Sequence, residues 1–246
     1  AVLARPADAS WGLRAEDFVQ LAQAIGQDAI GGPMFATPRR MLSDVPPRGL
    51  RTRDDLLRLM ADGVIRPTEP DRAMLDACFA AVEGTGLGVW HHFSAGLTQV
   101  YDAMGLEHFS LALYDDPVLV SELLGMVMDD NRHLLEQLVE YPFSFFHFGD
   151  DLGHKEGLLV SPEWLAEQWL PRIKTSIAPA HDKGVPVTFH SDGRIIDAIP
   201  MILDAGFVSL NPIEPYGMDI YDLATRYGDR LTLIGNIDVA DRKSVV

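Results

Sequence analysis

Four short apolar segments in the second half of the chain constrain its fold more than any other feature. They read FSFF (143–146), VPVTF (185–189), FVSL (207–210) and LTLI (231–234), and helix-length amphipathic segments lie between them. Near-continuous apolar runs of this length are typical of strands that are buried on both faces. Strands that alternate with helices of ten or more residues indicate βαβ crossovers and a parallel sheet. The sequence therefore predicts an α/β fold.

The same alternation extends over the whole chain. Segments 28–35 and 86–93 predict two more strands, for a total of about six. Helices are predicted over 15–27, 52–63, 69–84, 115–140, 161–184, 195–206 and 219–228, with Pro171 and Pro200 as points of kinking or breakage. A (β/α)8 barrel and an open doubly wound sheet both fit this pattern. No G-x-G-x-x-G or P-loop motif follows any predicted strand, so we expect no nucleotide cofactor.

Charge and cysteine content exclude several classes of partner. The chain has 36 Asp and Glu against 20 Lys and Arg, a net charge of −16, which argues against a nucleic-acid or an anionic membrane partner. Cys78 is the only cysteine, so an intramolecular disulfide is excluded and a reducing compartment fits. No apolar run is long enough to span a membrane, and no signal peptide is visible. We expect a cytoplasmic location.

Polar side chains follow the predicted strands at the points where the strands end. They are His91 and His92, Asp150 and Asp151, His190 and Asp192, Asn211 and Glu214, and Asn236 and Asp238. In parallel α/β folds the residues that follow the carboxyl ends of the strands meet at one edge of the sheet, and in a barrel that edge is the mouth of the active site. The sequence therefore predicts that these groups line a common pocket.

The segments that carry these residues also resemble a known family. FGDDLGHKEGLLVSPEWLAEQWLPRIK, GVPVTFHSDG, LNPIEPYGMDI and YGDRLTLIGNID, in this order, are similar to the uroporphyrinogen decarboxylase superfamily. The resemblance extends from about residue 112 to 239. It implies a single (β/α)8 TIM barrel domain over residues 1–246. That barrel has two more βα units after the strand that ends in GNID, so the resemblance implies that the C-terminal strands are missing from this chain.

Within the superfamily, the chain is more similar to the corrinoid-linked methyltransferases than to the decarboxylase. The Arg-rich N-terminal segment by which the decarboxylases bind substrate carboxylates is missing, and only Arg39 and Arg40 offer a partial substitute. The resemblance implies methyl transfer between a small methylated substrate or a tetrahydropterin and a corrinoid that is bound to a separate protein. Two alternatives stay open: a lyase that decarboxylates a porphyrinogen, and a ligand-binding relative without catalytic activity.

Thiol-dependent members of the methyltransferase branch bind zinc through a His-x-Cys motif, which reads His190-Ser191-Asp192 here. An oxygen ligand thus replaces the thiolate. Two interpretations remain. In one, His190 and Asp192, with Asp151 or Glu214, bind a divalent metal such as zinc. In the other, which we prefer on the sequence alone, no metal binds and the same four residues carry out acid/base catalysis.

Five further residues are predicted to contact substrate. They are His147, Asp150, Asn211, Asn236 and Asp238. Each predicted site residue also has a structural interpretation, such as a helix N-cap for Asp192 or a core histidine for His190 and His147. His91 and His92 are adjacent on a predicted strand and must face opposite sides of the sheet, so at most one reaches the pocket.

Overall fold

The computed structural model describes residues 14–31 and 41–238. Its central element is a parallel sheet. The strands of this sheet are, in spatial order, β1 (Ala29–Gly31), β2 (Gly88–Ser94), β3 (Phe145–Gly149), β6 (Val187–His190), β7 (Ser209–Ile213) and β8 (Thr232–Gly235). A short antiparallel hairpin follows β3 and consists of β4 (Gly153–His154) and β5 (Gly157–Leu158).

Helices alternate with these strands, as the pattern of apolar residues predicts. They are α1 (Ala15–Ile25), α2 (Arg53–Ala61), α3 (Arg72–Val82), α4 (Leu97–Met104), α5 (Leu106–Asp115), α6 (Pro117–Leu138), α7 (Pro162–Trp164), α8 (Leu170–Asp182), α9 (Ile199–Ala205) and α10 (Ile220–Tyr227). A π-helical turn, Leu165–Trp169, joins α7 to α8 directly before Pro171, where a kink is predicted. Pro200 lies in the first turn of α9 and does not break it.

The prediction of a TIM barrel is confirmed only in part. The sheet is parallel and curled like half of a barrel, but within the described residues it does not close. β1 pairs only with β2, and β8 pairs only with β7, so both are edge strands in the part of the chain that the structure covers. Arg39 and Arg40, the cations weighed as carboxylate ligands, lie outside the described residues.

The two faces of the sheet differ in burial. Phe93, Phe148 and Phe189 point to the convex face and are almost completely buried beneath the helices. Phe148 stacks on Phe93 at 4.7 Å, and Phe189 contacts Trp169 edge to face at 5.6 Å. On the concave face, Phe145, His147 and Thr188 are half-buried, whereas Ser209 is buried. Within the described residues, the strands are therefore buried more completely on the convex face than on the concave face.

Helices α4 and α5 and the β4–β5 hairpin are not predicted from the sequence. Helix α4 begins after Gly96 and has no capping side chain of its own. The acceptor for its first N–H groups is the carboxylate of Asp150, which lies 53 residues further along the chain from Leu97. A helix whose N-terminus is capped by a residue far away in the sequence leaves no local signal.

Among the described residues, no helix combines the length and the apolar character needed to cross a bilayer.

The turn after β2 is anchored by one indole. Trp169 is fully buried, and its Nε1 donates a hydrogen bond to the carbonyl oxygen of Ala95 at 3.1 Å. Trp169→Phe leaves that carbonyl without its donor, so we expect the free energy of unfolding to fall by about 1–2 kcal/mol. Urea unfolding followed by circular dichroism measures the change. Trp164→Phe is the matched control, and an equal loss in both variants would contradict the anchoring role.

Candidate functional site

The strand register places the predicted polar residues at one edge of the sheet. Ser94, Gly149, His190 and Asn211 are paired across β2, β3, β6 and β7 and form a row at the carboxyl ends of these strands. Residues that follow this row emerge on the same side of the molecule. The prediction of a common site at this edge is consistent with this arrangement.

Three side chains meet above this row. The Nε2 atom of His190 lies 3.7 Å from Oδ1 of Asp151 and 3.7 Å from Oδ1 of Asp192. One ligand atom from each residue lies within 4.8 Å of the other two. A distance of 3.7 Å is too long for a hydrogen bond. We call these three residues the triad.

The triad spacing suits a bound cation. Two ligands that are each about 2.1 Å from one ion, at a tetrahedral angle, lie about 3.4 Å apart, close to the observed separations. One imidazole nitrogen and two carboxylate oxygens form a donor set that suits borderline and hard divalent ions. The backbone supports this arrangement, because the N–H of Asp192 donates to Oδ1 of Asp151 at 3.0 Å.

The amide of Asn211 orients the ring of His190. The Nδ2 atom of Asn211 lies 3.3 Å from Nδ1 of His190, on the side of the ring away from the carboxylates. A histidine that binds a metal through Nε2 carries its proton on Nδ1 and donates it to an acceptor. In a metal-bound form the amide of Asn211 would therefore have to turn its Oδ1, and not its Nδ2, toward Nδ1 of His190. Asn211 thus contacts His190 directly, and its predicted contact with substrate stays a prediction.

The electrostatics of the triad are those of crowded carboxylates. Burial raises the pKa of Asp192, and the charges of Asp151 and Glu214 raise it further, while the charge of His190 lowers it. When negatively charged neighbours raise the pKa of a carboxyl, a cation that offsets their charge stabilises its ionised form. The site therefore favours a positively charged occupant.

Glu214 lies next to the triad but is held by other groups. Its Oε2 accepts a hydrogen bond from the N–H of Gly193 at 2.8 Å, and its Oε1 accepts one from the hydroxyl of Tyr216. This hydrogen bond is the main cause that raises the pKa of Tyr216 to about 12, and burial adds to it. Tyr216 is not among the residues predicted from the sequence, although its position two residues after Glu214 in the segment NPIEPYG is a signal that could have indicated it.

Gly193 lets the two loops above the triad approach each other closely. Gly193 has φ +83°, and a Cβ atom there would lie 2.7 Å from the backbone nitrogen of His154. The N–H of Arg194 donates to the carbonyl of His154 at 2.8 Å, which ties the β4–β5 hairpin to the loop after β6. The ammonium of Lys155 in this hairpin lies 5.7 Å from the centre of the Tyr216 ring. These contacts place Lys155 and Tyr216 at the rim.

Asp150 is placed beneath the site and not in it. It is 1% exposed, and its carboxylate accepts hydrogen bonds from the N–H groups of Leu97 at 2.8 Å and Thr98 at 2.5 Å. Burial raises its pKa to about 6, although the hydrogen bonds from Thr98 and Leu97 lower it. The neighbouring Asp151 is tied to the same helix, because its N–H donates to Oγ1 of Thr98 at 3.0 Å. The role of Asp150 seen here is therefore to position α4 and Asp151.

The other predicted site residues are dispersed. His147 lies on the concave face, in the row below His190. Asn236 and Asp238 follow β8, two strands from His190, and are exposed. The N–H of Asn236 donates to the carbonyl of Ile213, and the charge of Asp238 contributes to the raised pKa of Tyr216. The structure does not bring Asn236 or Asp238 into the triad.

Two local predictions can be compared directly with the structure. His91 is fully buried on the convex face and His92 is half-buried on the concave face, so the two side chains face opposite sides of the sheet, as predicted. Asp192 does not cap α9, because that helix begins at Ile199 with Ala198 as its N-cap.

No protein-family model matches this chain, and no curated protein matches it by sequence. Its fold is similar to that of a methyltransferase from Methanosarcina mazei, with a TM-score of 0.60 and 14% identity over 91% of this chain and 70% of that chain. The 3-keto-D-glucoside 4-epimerase YcjR from E. coli aligns with a TM-score of 0.46 and 13% identity over 92% of this chain and 75% of that chain. A fold like that of the M. mazei methyltransferase is thereby shown, whereas membership of the uroporphyrinogen decarboxylase superfamily stays a prediction.

The buried carboxylate gives a test of how the site is supported. Asp150→Ala leaves the N–H groups of Leu97 and Thr98 without an acceptor, so we expect a loss of about 1–3 kcal/mol in the free energy of unfolding. Asp150→Asn keeps one acceptor oxygen and should lose less. Asp102→Ala, on the exposed side of the same helix, is the control in urea unfolding. Wild-type stability of Asp150→Ala would show that the carboxylate does not hold α4.

Proposed function

We propose that this protein is a metal-dependent methyltransferase that acts on a methyl group bound to oxygen or nitrogen. The observation that carries the proposal is the convergence of Asp151, His190 and Asp192 at 3.7 Å spacing, on a fold similar to that of a methyltransferase. The triad also changes our preference between the two interpretations of these residues. Three ligand atoms within 4.8 Å of one another favour metal binding over metal-free acid/base catalysis.

His190, Asp151 and Asp192 would hold the cation, and Asn211, with its amide turned so that Oδ1 accepts from Nδ1–H, would fix the His190 ring. A bound divalent cation supplies Lewis acidity toward the heteroatom that carries the methyl group. A thiolate ligand is missing, so a hard oxygen- or nitrogen-bearing methyl donor suits this donor set better than a thiol. The methyl acceptor in this proposal is the cobalt of a corrinoid on a separate protein, docked at the carboxyl ends of the strands.

The heteroatom that loses its methyl group gains a proton in this reaction. Glu214 and the Tyr216 hydroxyl form a hydrogen-bonded pair beside the triad, and they are the groups of this chain that would orient the departing oxygen or nitrogen. A porphyrinogen decarboxylase is less well supported, because the described residues around His190 are carboxylates, which would repel the carboxylates of such a substrate.

Metal content tests the first half of the proposal. Protein purified without a chelator should contain about one divalent ion per chain, and His190→Ala should lose it because one of three ligands is removed. Asp192→Asn should bind the ion more weakly. The measurement is elemental analysis after gel filtration, with the exposed His154→Ala as a matched control. Equal metal content in the wild type and in His190→Ala would contradict the assignment of the triad.

Methyl transfer tests the second half. Metal-loaded protein is mixed with cob(I)alamin and a panel of O-methyl and N-methyl compounds, and methylcobalamin is followed by its visible absorbance. We expect kcat for the active donor to fall about 100-fold in Asp192→Asn with little change in substrate affinity. Asp197→Asn, on the surface nearby, is the control. Absence of methylcobalamin with every donor, in protein shown to hold metal, would overturn the function.

A further inference from the structure

A cavity away from the triad lies at the junction of α4 and α5, against the loop that precedes α2. Its volume is about 170 Å³, and its walls include Arg48, Arg51, Gly105, Glu107 and His108. None of these residues belongs to the triad or to the hydrogen bonds that support it. One water molecule occupies about 30 Å³ in the liquid, so this cavity can hold a group of the size of phosphate.

Two guanidinium groups of this cavity have no carboxylate partner among the described residues. Arg53, two residues after Arg51, pairs with Glu122 at 3.1 Å. Arg48 and Arg51 form no ion pair with the described part of the chain, although acidic residues outnumber basic ones by 36 to 20. Both side chains are exposed, so a ligand can reach them. Glu107 is the opposing charge in the cavity wall, and two guanidinium groups outweigh it.

The backbone of Arg48 adopts a conformation that arginine rarely takes. The N–H of Gly49 donates to the carbonyl oxygen of Pro46 at 2.7 Å, which makes residues 46–49 a β-turn with Arg48 as its second central residue. Arg48 has φ +61°, and turns with a positive φ at this position favour glycine or asparagine there. Backbone strain of this kind is found mostly at binding and catalytic sites.

Gly105 makes room for the side chain of Arg48. Its φ is +81°, and a Cβ atom there would lie 2.7 Å from Cγ of Arg48. The aliphatic stem of Arg48 therefore packs directly over the backbone between α4 and α5. The strained turn and the glycine have the same consequence, because together they bring one guanidinium group to the wall of the cavity.

The backbone of Arg51 is held on both sides. Its carbonyl oxygen lies 2.9 Å from Nε2 of His108, and because a carbonyl can only accept, this nitrogen carries the proton. The N–H of Arg51 donates to Oδ2 of Asp55 at 3.2 Å. Arg51 thus leaves a fixed backbone position, and its side chain is the part that is available to a ligand.

We propose that this cavity binds a phosphate group, as free phosphate or as a phosphate monoester, between Arg48 and Arg51. A guanidinium group presents a planar fork of N–H donors that matches the oxygens of a phosphate or a carboxylate. A phosphate monoester carries a charge of about −1.5 to −2 at neutral pH and three terminal oxygens, so it can accept from two guanidinium groups at once. A carboxylate has less charge and only two oxygens. The site is separate from the triad and from the proposed methyl transfer.

Calorimetric titration of the full chain with glycerol 3-phosphate and with orthophosphate, at constant ionic strength, tests the site. We expect one saturable site per chain. Arg51→Gln should bind about tenfold more weakly, because it removes one charged pair of donors. Glu107→Gln should bind about threefold more tightly, because it removes a carboxylate from the cavity wall. Arg53→Gln is the matched control and should keep the wild-type affinity, since its guanidinium is already paired.

Arg48→Gly separates loss of binding from loss of folding. It removes the second guanidinium and puts glycine in a turn position that favours glycine. Phosphate affinity should fall about tenfold, while the urea midpoint of unfolding should not fall. A lower midpoint would contradict the strain at Arg48. His190→Ala should bind phosphate as the wild type does, because the triad does not take part.

The two probes distinguish the sources of the phosphate group. Tighter binding of glycerol 3-phosphate supports the site with a phosphate monoester as its ligand, and tighter binding of orthophosphate supports it with free phosphate. No saturable binding of either probe, or equal affinities of the wild type, Arg48→Gly and Arg51→Gln, would overturn the site. Loss of affinity in His190→Ala alone would move the phosphate to the triad. Acetate that binds as tightly as phosphate would overturn the assignment of the ligand.

Discussion

The register of the parallel strands is the constraint on which the rest of the structure depends. Pairing of β2, β3, β6 and β7 brings Ser94, Gly149, His190 and Asn211 into one row, and the residues that follow this row form the triad. A shift of one residue in β6 would turn His190 toward the helices and Phe189 toward the open face. Burial of Phe189 against Trp169 opposes that shift, so packing on the convex face fixes the geometry of the site on the other side.

Differences in burial and in hydrogen-bond donors explain why the carboxylates of this site have different roles. Asp150 is completely buried, and hydrogen bonds from the N-terminus of α4 offset its desolvation. Asp151 and Asp192 are partly exposed and have fewer donors, so the N–H of Asp192 on Asp151 and the charge of His190 offset their mutual repulsion only in part. Two adjacent residues, Asp150 and Asp151, thus differ because one carboxylate faces a helix terminus and the other faces the mouth.

The sequence is sufficient to predict the strands and the convergence of His190 with Asp151 and Asp192, because apolar runs and the polar residues at their ends are local signals. It does not predict α4, whose first N–H groups donate to the carboxylate of Asp150 after β3. The contact of Asn211 with His190 was also not predicted, because the two side chains meet only after β6 and β7 pair. Tyr216 was not predicted either, although it lies only two residues from Glu214 in the same loop. The described residues do not form a closed barrel. The sequence could not decide this, because a count of strands does not show whether the two edges of the sheet meet. The cytoplasmic location and the corrinoid partner stay predictions.

The concave face changes in chemical character with depth, and this restricts what can bind there. The carboxylates of the triad favour a cation at the mouth, His147 and Thr188 lie one row below, and Trp90 and Phe145 follow in the next row. Successive rows on one face of a strand are about 7 Å apart, close to the length of a single aromatic ring. A ligand that contacts both the triad and His147 must therefore span about 7 Å between them. Without a bound cation, an anionic substrate would lose solvation at the mouth and be repelled by Asp151, Asp192 and Glu214.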